Sequence, residues 1–202
     1  MSVQVGKQAP NFKATAVMPD NTFKEDFSLE DYRGKYVVVF FWPLDFTFVC
    51  PTEILEFNKF LPEFEKRNTQ VIGVSTDSQF SHLAWKNTDI KDGGIGNVQF
   101  PMVSDFTKEI SRDYGVLVEE AGVALRGSFL IDKEGIVHHA VVNNLSLGRN
   151  IKEMIRMIDA LQHFEKYGEV CPADWEEGKE AMKASPEGVK EYLSKHADEF
   201  KL

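Results

Sequence analysis

The residues of this 202-residue chain best suited to chemistry are its two cysteines, Cys50 and Cys171. Cys50 lies in Pro43-Leu44-Asp45-Phe46-Thr47-Phe48-Val49-Cys50-Pro51-Thr52-Glu53, shortly after a threonine and directly before a proline. A sulfur attacks as the thiolate, and an ordinary cysteine with a pKa near 8.5 is about 3 % ionised at neutral pH. Near-complete ionisation takes about 3.4 kcal/mol of stabilisation. A helix N-terminus contributes about 0.3–1 kcal/mol. A nucleophilic Cys50 therefore also needs direct hydrogen-bond donors and a cation. Thr47 can offer its hydroxyl to the sulfur or to an incoming oxygen; the cation must come from elsewhere in the chain. Cys171 sits in Gly168-Glu169-Val170-Cys171-Pro172-Ala173-Asp174-Trp175, where glycine, proline and charges predict an exposed segment beyond the last core helix. Two thiols make neither a disulfide framework nor a structural zinc site alone. In a reducing compartment such a pair is inert or catalytic.

The elements around Cys50 give it a defined place. Tyr36-Val37-Val38-Val39-Phe40-Phe41-Trp42 is an unbroken apolar run, rich in β-branched and aromatic residues, and predicts a strand buried on both faces. From Thr52 to Lys66, Ile54, Leu55, Phe57, Leu61 and Phe64 recur at helical spacing, with Pro62 predicting a kink or restart. Cys50 thus falls where a buried strand hands over to a helix, beside backbone N–H groups that have no intrahelical partner.

Upstream, Ala14–Val17 and Thr22–Phe27 read as a hairpin across Pro19-Asp20-Asn21, followed by a helical turn capped by Ser28 and closed by Gly34. Downstream, Gln70–Thr76 is the next strand, with Asp77-Ser78 capping a helix to about Asn87. Strand, helix and strand at this length imply a right-handed crossover and parallel pairing. Lys91–Asn97 is a loop, Phe100–Ser104 a short strand, and Thr107–Tyr114 a helix ended by Gly115. Arg126–Ile131 and Ile136–Val142 form a hairpin around Asp132-Lys133-Glu134-Gly135. Asn150–Tyr167 is amphipathic, with Ile151, Met154, Ile155, Ile158, Leu161 and Phe164 on one face, and a last helix runs from Pro186 to about His196. The order is that of an α/β, thioredoxin-like fold with an N-terminal hairpin extension and a C-terminal arm: residues 1–167 form the domain and 168–202 the arm that carries Cys171.

Pro43-x-x-x-Thr47-x-x-Cys50, continued by Val49-Cys50-Pro51-Thr52-Glu53, resembles the active-site signature of the peroxiredoxins. The resemblance extends through Val71–Ser78, Leu83-Ala84-Trp85, Leu125–Asp132, Gly148-Arg149 and Glu169–Pro172, nearly the whole chain. It implies a typical two-cysteine enzyme of the alkyl hydroperoxide reductase C or thioredoxin peroxidase type. Cys50 would be the peroxidatic cysteine and Cys171 the resolving one. Arg126 would be the missing cation, Pro43 would shield the thiolate and Thr47 would orient the peroxide. Glu53 would hold the active-site arginine, with Arg149 as the second arginine of that network. The resemblance implies reduction of hydrogen peroxide and organic hydroperoxides through a Cys50 sulfenic acid and a Cys50–Cys171 disulfide between two subunits. That bond would be recycled by thioredoxin or a flavoprotein disulfide reductase, without metal, haem or flavin. It further implies a homodimer that assembles into a decamer around Phe46, Phe48 and Ser81, serving antioxidant defence. Gly93-Gly94-x-Gly96 is similar to a loop of easily over-oxidised members, and Tyr192-Leu193 takes the place of their Tyr-Phe pair, with Leu for Phe.

Composition limits the alternatives. A hydrophobic content of 43% with 27% charged residues is ordinary for a soluble globular protein, and a net charge of −9 argues against nucleic-acid or anionic-membrane surfaces. Met1–Lys7 has no apolar segment after its charge, so no signal peptide is expected; no apolar run approaches a membrane span, and a cytoplasmic location is the default. A thioredoxin-type oxidoreductase would want Cys-x-x-Cys, but position 53 is Glu. A holdase without enzymatic activity is the alternative from another class. The five histidines do not gather: adjacent His138 and His139 point to opposite faces of a strand, and no metal site is expected.

Overall fold

The computed structural model describes residues 3–200; Met1 and Ser2, at the head of the segment read as no signal peptide, lie outside the described residues. The hairpin β1 (Lys13–Val17) and β2 (Phe23–Ser28) forms as expected, with Ala14 opposite Phe27 and Val17 opposite Phe23. Its turn is closed by Asp20, which accepts from the Thr22 amide and hydroxyl. Ser28 then accepts from Glu30 N to cap a 3-10 turn over Leu29–Tyr32.

β3 (Tyr36–Phe41) is buried at all six residues, the consequence of its uninterrupted apolar sequence. β4 (Thr69–Ser75) pairs with it in parallel, and β5 (Met102–Ser104) pairs in parallel with β4. A two-residue pair, β6 (Leu117–Val118) with β7 (Val123–Ala124), comes next in the chain and was not expected. On the other side of β3, β8 (Arg126–Ile131) runs antiparallel to it, and β9 (Val137–Asn143) antiparallel to β8. The sheet order is β2-β1-β5-β4-β3-β8-β9, which places β3 near the middle. A second unexpected feature is that β1 pairs antiparallel with β5, Ala16 facing Val103, so the N-terminal hairpin continues the main sheet.

α1 (Cys50–Lys59) begins two residues earlier than its apolar periodicity suggests, with Pro51 in its first turn and no side chain capping its N-terminus. It stops at Phe60, and α2 (Leu61–Lys66) restarts with Pro62 in its first turn, the predicted break. α3 (Gln79–Lys86) is capped by Ser78, which accepts from Ser81 N. Asp77 is not a cap; its carboxylate accepts from Ser75 Oγ and from Asp45 N. α4 (Glu109–Asp113) is shorter than predicted, its first turn held by Asp105, which accepts from Ile110 N and Ser111 N.

The alternation of β3 serves two layers of core. Val37, Val39 and Phe41 join Phe27, Ile72, Val74, Tyr114, Phe129 and Ile131 on one side. From the other, Phe40 stacks on Phe57 of α1 at 4.0 Å and meets Phe100 edge-on at 5.4 Å. Truncating Phe40 to alanine would cost about 3–5 kcal/mol. These elements form one compact unit, to Ile151.

A second unit begins at Lys152. α5 (Ile151–Tyr167) buries Ile151, Met154, Ile158, Ala160 and Leu161, but Phe164 is 49 % exposed, so the predicted apolar face ends a turn early. β10 (Glu169–Val170) pairs with β11 (Met182–Lys183), and α6 (Pro186–His196) comes after them, capped by Ser185 accepting from Gly188 N. Among the described residues no helix is long and apolar enough to cross a membrane.

Candidate active site

The strand order explains how distant residues meet. β8 runs antiparallel to β3, so Arg126 at its N-terminal end lies beside the C-terminal end of β3, where the chain turns through Pro43 into α1. Cys50, the first residue of α1, is fully buried. Arg126 Nη1 lies 3.4 Å from Cys50 Sγ. Thr47 Oγ1 lies 2.9 Å from the same sulfur and 2.7 Å from Leu44 O. One hydroxyl carries one proton, so Thr47 donates to Leu44 O or to the sulfur, not to both at once. Pro43 is buried in the same loop.

Glu53 stands one helical turn beyond Cys50 and therefore on the same face of α1. Its Oε2 accepts from Arg126 Nη1 at 2.7 Å. Arg149 donates to both oxygens, from Nε to Oε1 at 2.8 Å and from Nη2 to Oε2 at 2.9 Å, while its backbone N–H also donates to Oε1 at 2.8 Å. Further donors are satisfied by the backbone and a hydroxyl: Arg126 Nε donates to Leu145 O at 2.7 Å, and Arg149 Nη1 to Gly127 O and Ser128 Oγ. The Arg149 guanidinium lies over the rings of Phe40 and Phe57, 5.4 and 5.9 Å from their centroids. Burial pushes the Glu53 carboxyl up, but the hydrogen bonds and charges of Arg149, with Arg126 behind, outweigh it and hold the carboxyl below its ordinary range. Burial lowers the Arg149 guanidinium, with Glu53 opposing.

Two arginines and one glutamate leave one positive charge in this buried cluster, and Nη1 of Arg126 is turned to the sulfur. Opposite unit charges at about 4 Å attract by about 4 kcal/mol at an effective dielectric of 20. That is the size of contribution a helix terminus alone does not supply. Glu53 takes back part of the field of Arg126, and Arg149 offsets Glu53.

Pro43, Thr47, Cys50, Glu53, Arg126 and Arg149, all singled out from sequence, thus fall in one unit, the last five joined by hydrogen bonds. Cys171 belongs to the second unit, directly after β10. It is half-buried rather than exposed as expected, because its Sγ packs 3.6 Å from the Ala160 carbonyl of α5. Burial pushes its thiol up, Glu169 adds to this and Arg156 opposes it. Both cysteines are free.

Sequence reasoning missed the Leu145 carbonyl that orients Arg126; a backbone acceptor leaves no mark in the sequence. It also passed over Asp45, although an acid set among apolar residues of the signature is a visible signal. Gly93-Gly94 has a packing reason: Gly93 is left-handed (φ 85°), and a Cβ on Gly94 would collide with the Thr88 carbonyl. Among the described residues no three His, Cys, Asp or Glu side chains are grouped to hold a metal ion.

Residues 5–140 match the model of the AhpC/TSA family. The chain belongs to this family, the peroxiredoxins. Residues 160–195, which include Cys171, match the C-terminal domain of 1-Cys peroxiredoxin. Alkyl hydroperoxide reductase C of Helicobacter pylori is 58% identical over 194 residues, covering 96% of this chain and 98% of the relative. Peroxiredoxin-1 of Gallus gallus is 53% identical, with 95% and 96% covered. The reduced crystal structure of Plasmodium vivax 2-Cys peroxiredoxin matches with a TM-score of 0.92 and 54% identity, covering 94% of this chain and 98% of that one. This peroxiredoxin has the thioredoxin-like fold of the family and is a thiol-dependent peroxidase.

Proposed function

We propose that Cys50 is the peroxidatic nucleophile and that this peroxiredoxin reduces hydrogen peroxide and organic hydroperoxides. The observation that carries the reading is the pair of donors on one buried sulfur, Thr47 at 2.9 Å and Arg126 at 3.4 Å. The thiolate attacks the terminal oxygen of the hydroperoxide, an S–O bond forms as the O–O bond breaks, and the departing oxygen leaves as water or alcohol after taking a proton. Cys50 is oxidised to sulfenic acid. Thr47 and Arg126 stabilise the charge that develops on the oxygens, and Glu53 and Arg149 hold Arg126 in place. Pro43 closes the pocket against water.

Cys171 of a second copy then attacks the sulfenic sulfur, releasing water and forming the intersubunit disulfide. Because Cys50 is fully buried in the first turn of α1, that turn must open before the second sulfur reaches it. A thioredoxin or a flavoprotein disulfide reductase returns both cysteines to thiols, and sulfur carries the redox change without a cofactor. The working unit is a homodimer, further assembled into a decamer. The exposed rings of Phe46, Phe48 and Phe80, beside the active-site loop and Ser81, support self-association there. Residues 1–167 serve as the peroxidase domain and 168–202 as the arm bearing the resolving cysteine, in a cytoplasmic protein.

Non-reducing gel electrophoresis after one equivalent of hydrogen peroxide tests the reading. A covalent dimer is expected for the wild type and for neither Cys50→Ser nor Cys171→Ser. A covalent dimer that persists in either variant refutes the pairing.

A further inference from the structure

Beneath the loop that carries Thr47 lies a buried polar cluster with no part in the chemistry above. Asp45 Oδ1 accepts from Trp42 Nε1 at 3.0 Å. Its Oδ2 accepts from Ser81 Oγ at 2.8 Å and lies 2.8 Å from His82 Nδ1. Its own N–H donates to Asp77 Oδ2 at 2.9 Å. His82 is fully buried, with Nε2 3.2 Å from the Val103 carbonyl of β5. Asp77 accepts from Ser75 Oγ at the end of β4, and its carbonyl accepts from Ser104 Oγ. Asp45 is therefore anchored to the exit of β3, the end of β4, the start of α3 and, through His82, to β5. Trp42 reaches it because position 73 is glycine: a Cβ there would stand 2.7 Å from the indole.

This anchor stands directly before a strained residue. Phe46 is left-handed, φ 53°, a conformation that a bulky side chain adopts at a cost of order 1–3 kcal/mol and keeps only where its surroundings over-determine it. Asp45 fixes the backbone on one side, and the ring of Phe46 rests 5.7 Å from Trp85 on the other. The turn through Phe46 sets the direction of Thr47, whose hydroxyl lies on the Cys50 sulfur. A strained residue just ahead of a reacting group, held by a wholly buried histidine–carboxylate pair, has the form of a device for placing that group.

We propose that His82 is a positioning residue of the peroxidase reaction, acting through Asp45 to hold the left-handed turn at Phe46 and with it the Thr47 hydroxyl. This role presupposes that Cys50 is the nucleophile. Without His82, the Asp45 carboxylate loses one of its two fully buried partners, the other being Trp42, the turn relaxes and Thr47 drifts from the sulfur. A misplacement of about 1 Å can cost up to about a hundredfold in rate. A histidine that merely filled the core would instead lower stability and leave the share of the rate carried by Thr47 intact.

A double-mutant cycle separates these cases. The second-order rate constant for the first oxidation by hydrogen peroxide is measured by stopped-flow tryptophan fluorescence on the full chain, for wild type, His82→Leu, Thr47→Val and the double variant. His82→Leu is expected to slow this step roughly tenfold in the wild-type background and less than about threefold in the Thr47→Val background. His82→Asn, whose amide donates from near the position of Nδ1, recovers most of the loss. Equal factors in both backgrounds, or His82→Leu within about threefold of wild type, overturn the proposal. Should His82→Leu not fold, His82→Gln, whose amide reaches toward the position of Nε2 and not of Nδ1, enters the same cycle, with the same two outcomes. Cys50→Ser on the same instrument keeps the underlying reading separate: surviving peroxide consumption there removes the nucleophile, whereas an additive cycle removes only the role of His82.

Discussion

The two cysteines occupy opposite kinds of surroundings. Cys50 is fully buried at an uncapped helix start, with a threonine hydroxyl and a guanidinium on its sulfur, the latter part of an Arg126–Glu53–Arg149 cluster of net charge +1. Cys171 is half-buried beside a two-residue strand; its sulfur faces a carbonyl, and its thiol is pushed up. A buried sulfur ringed by donors is suited to meet a small oxidant before anything else does. A sulfur held as a thiol is suited to wait. The difference is what the proposed division of labour between Cys50 and Cys171 rests on.

The largest effect comes from erasing one side of the contrast. Cys50→Ser is expected to reduce peroxide consumption, measured as loss of hydrogen peroxide, to the uncatalysed rate; consumption that survives would move the nucleophile elsewhere. Next is Glu53→Gln, which leaves two buried guanidinium groups without their counter-charge. Breaking a buried pair in this way costs about 3–5 kcal/mol, read from the denaturation midpoint. Its pH dependence has a definite sign. Glu53 titrates below its ordinary range in the fold, so its stabilisation is complete above the ordinary carboxylate pKa of about 4.3 and is lost as pH falls through the lowered value. The stability gap between wild type and Glu53→Gln is therefore expected to narrow below about pH 4; a gap that widened there would contradict the assignment.

The Cys171 side predicts a pH effect of its own. With that thiol raised, the reactive thiolate fraction grows up to about tenfold per pH unit from neutrality to about pH 8.5. Disulfide formation, monitored as the slower fluorescence phase, is expected to accelerate over this range; a pH-independent slow phase would show that thiol ionisation does not limit it. The smallest effect lies farther along the arm. Ser185→Ala removes the cap of α6, at a cost of about 1 kcal/mol. It should raise amide exchange along Pro186–His196, and a redox cycle altered by more than about twofold would tie α6 to the chemistry more closely than a cap does.

How legible these regions were depends on the range of the interactions that build them. β3 was plain because a strand covered on both faces must be apolar throughout, and the restart at Pro62 because proline lacks an N–H. The apolar spacing starts α1 only at Thr52 because Val49 offers no capping side chain, so nothing in the sequence marks Cys50 as already helical. Arg126 became a site residue only through the family resemblance; it lies 76 positions from Cys50, and strand pairing rather than local pattern joins them. The β1–β5 pairing was missed for the same reason, and β6–β7 because two-residue strands carry no periodicity. Cys171 was expected at the surface because turn residues show where a chain leaves regular structure, not which carbonyl comes to cover it. Asp45 and His82 were visible as letters but not as a pair, since helix α3 brings them together from 37 positions apart.

The most direct test of the account is the rate of the first oxidation by hydrogen peroxide in Arg126→Ala, by stopped flow against wild type, with folding checked by circular dichroism. The account predicts a loss of about a hundredfold or more, since Arg126 supplies the charge that the helix terminus and Thr47 do not. A folded Arg126→Ala protein that reacts within about threefold of wild type would contradict it.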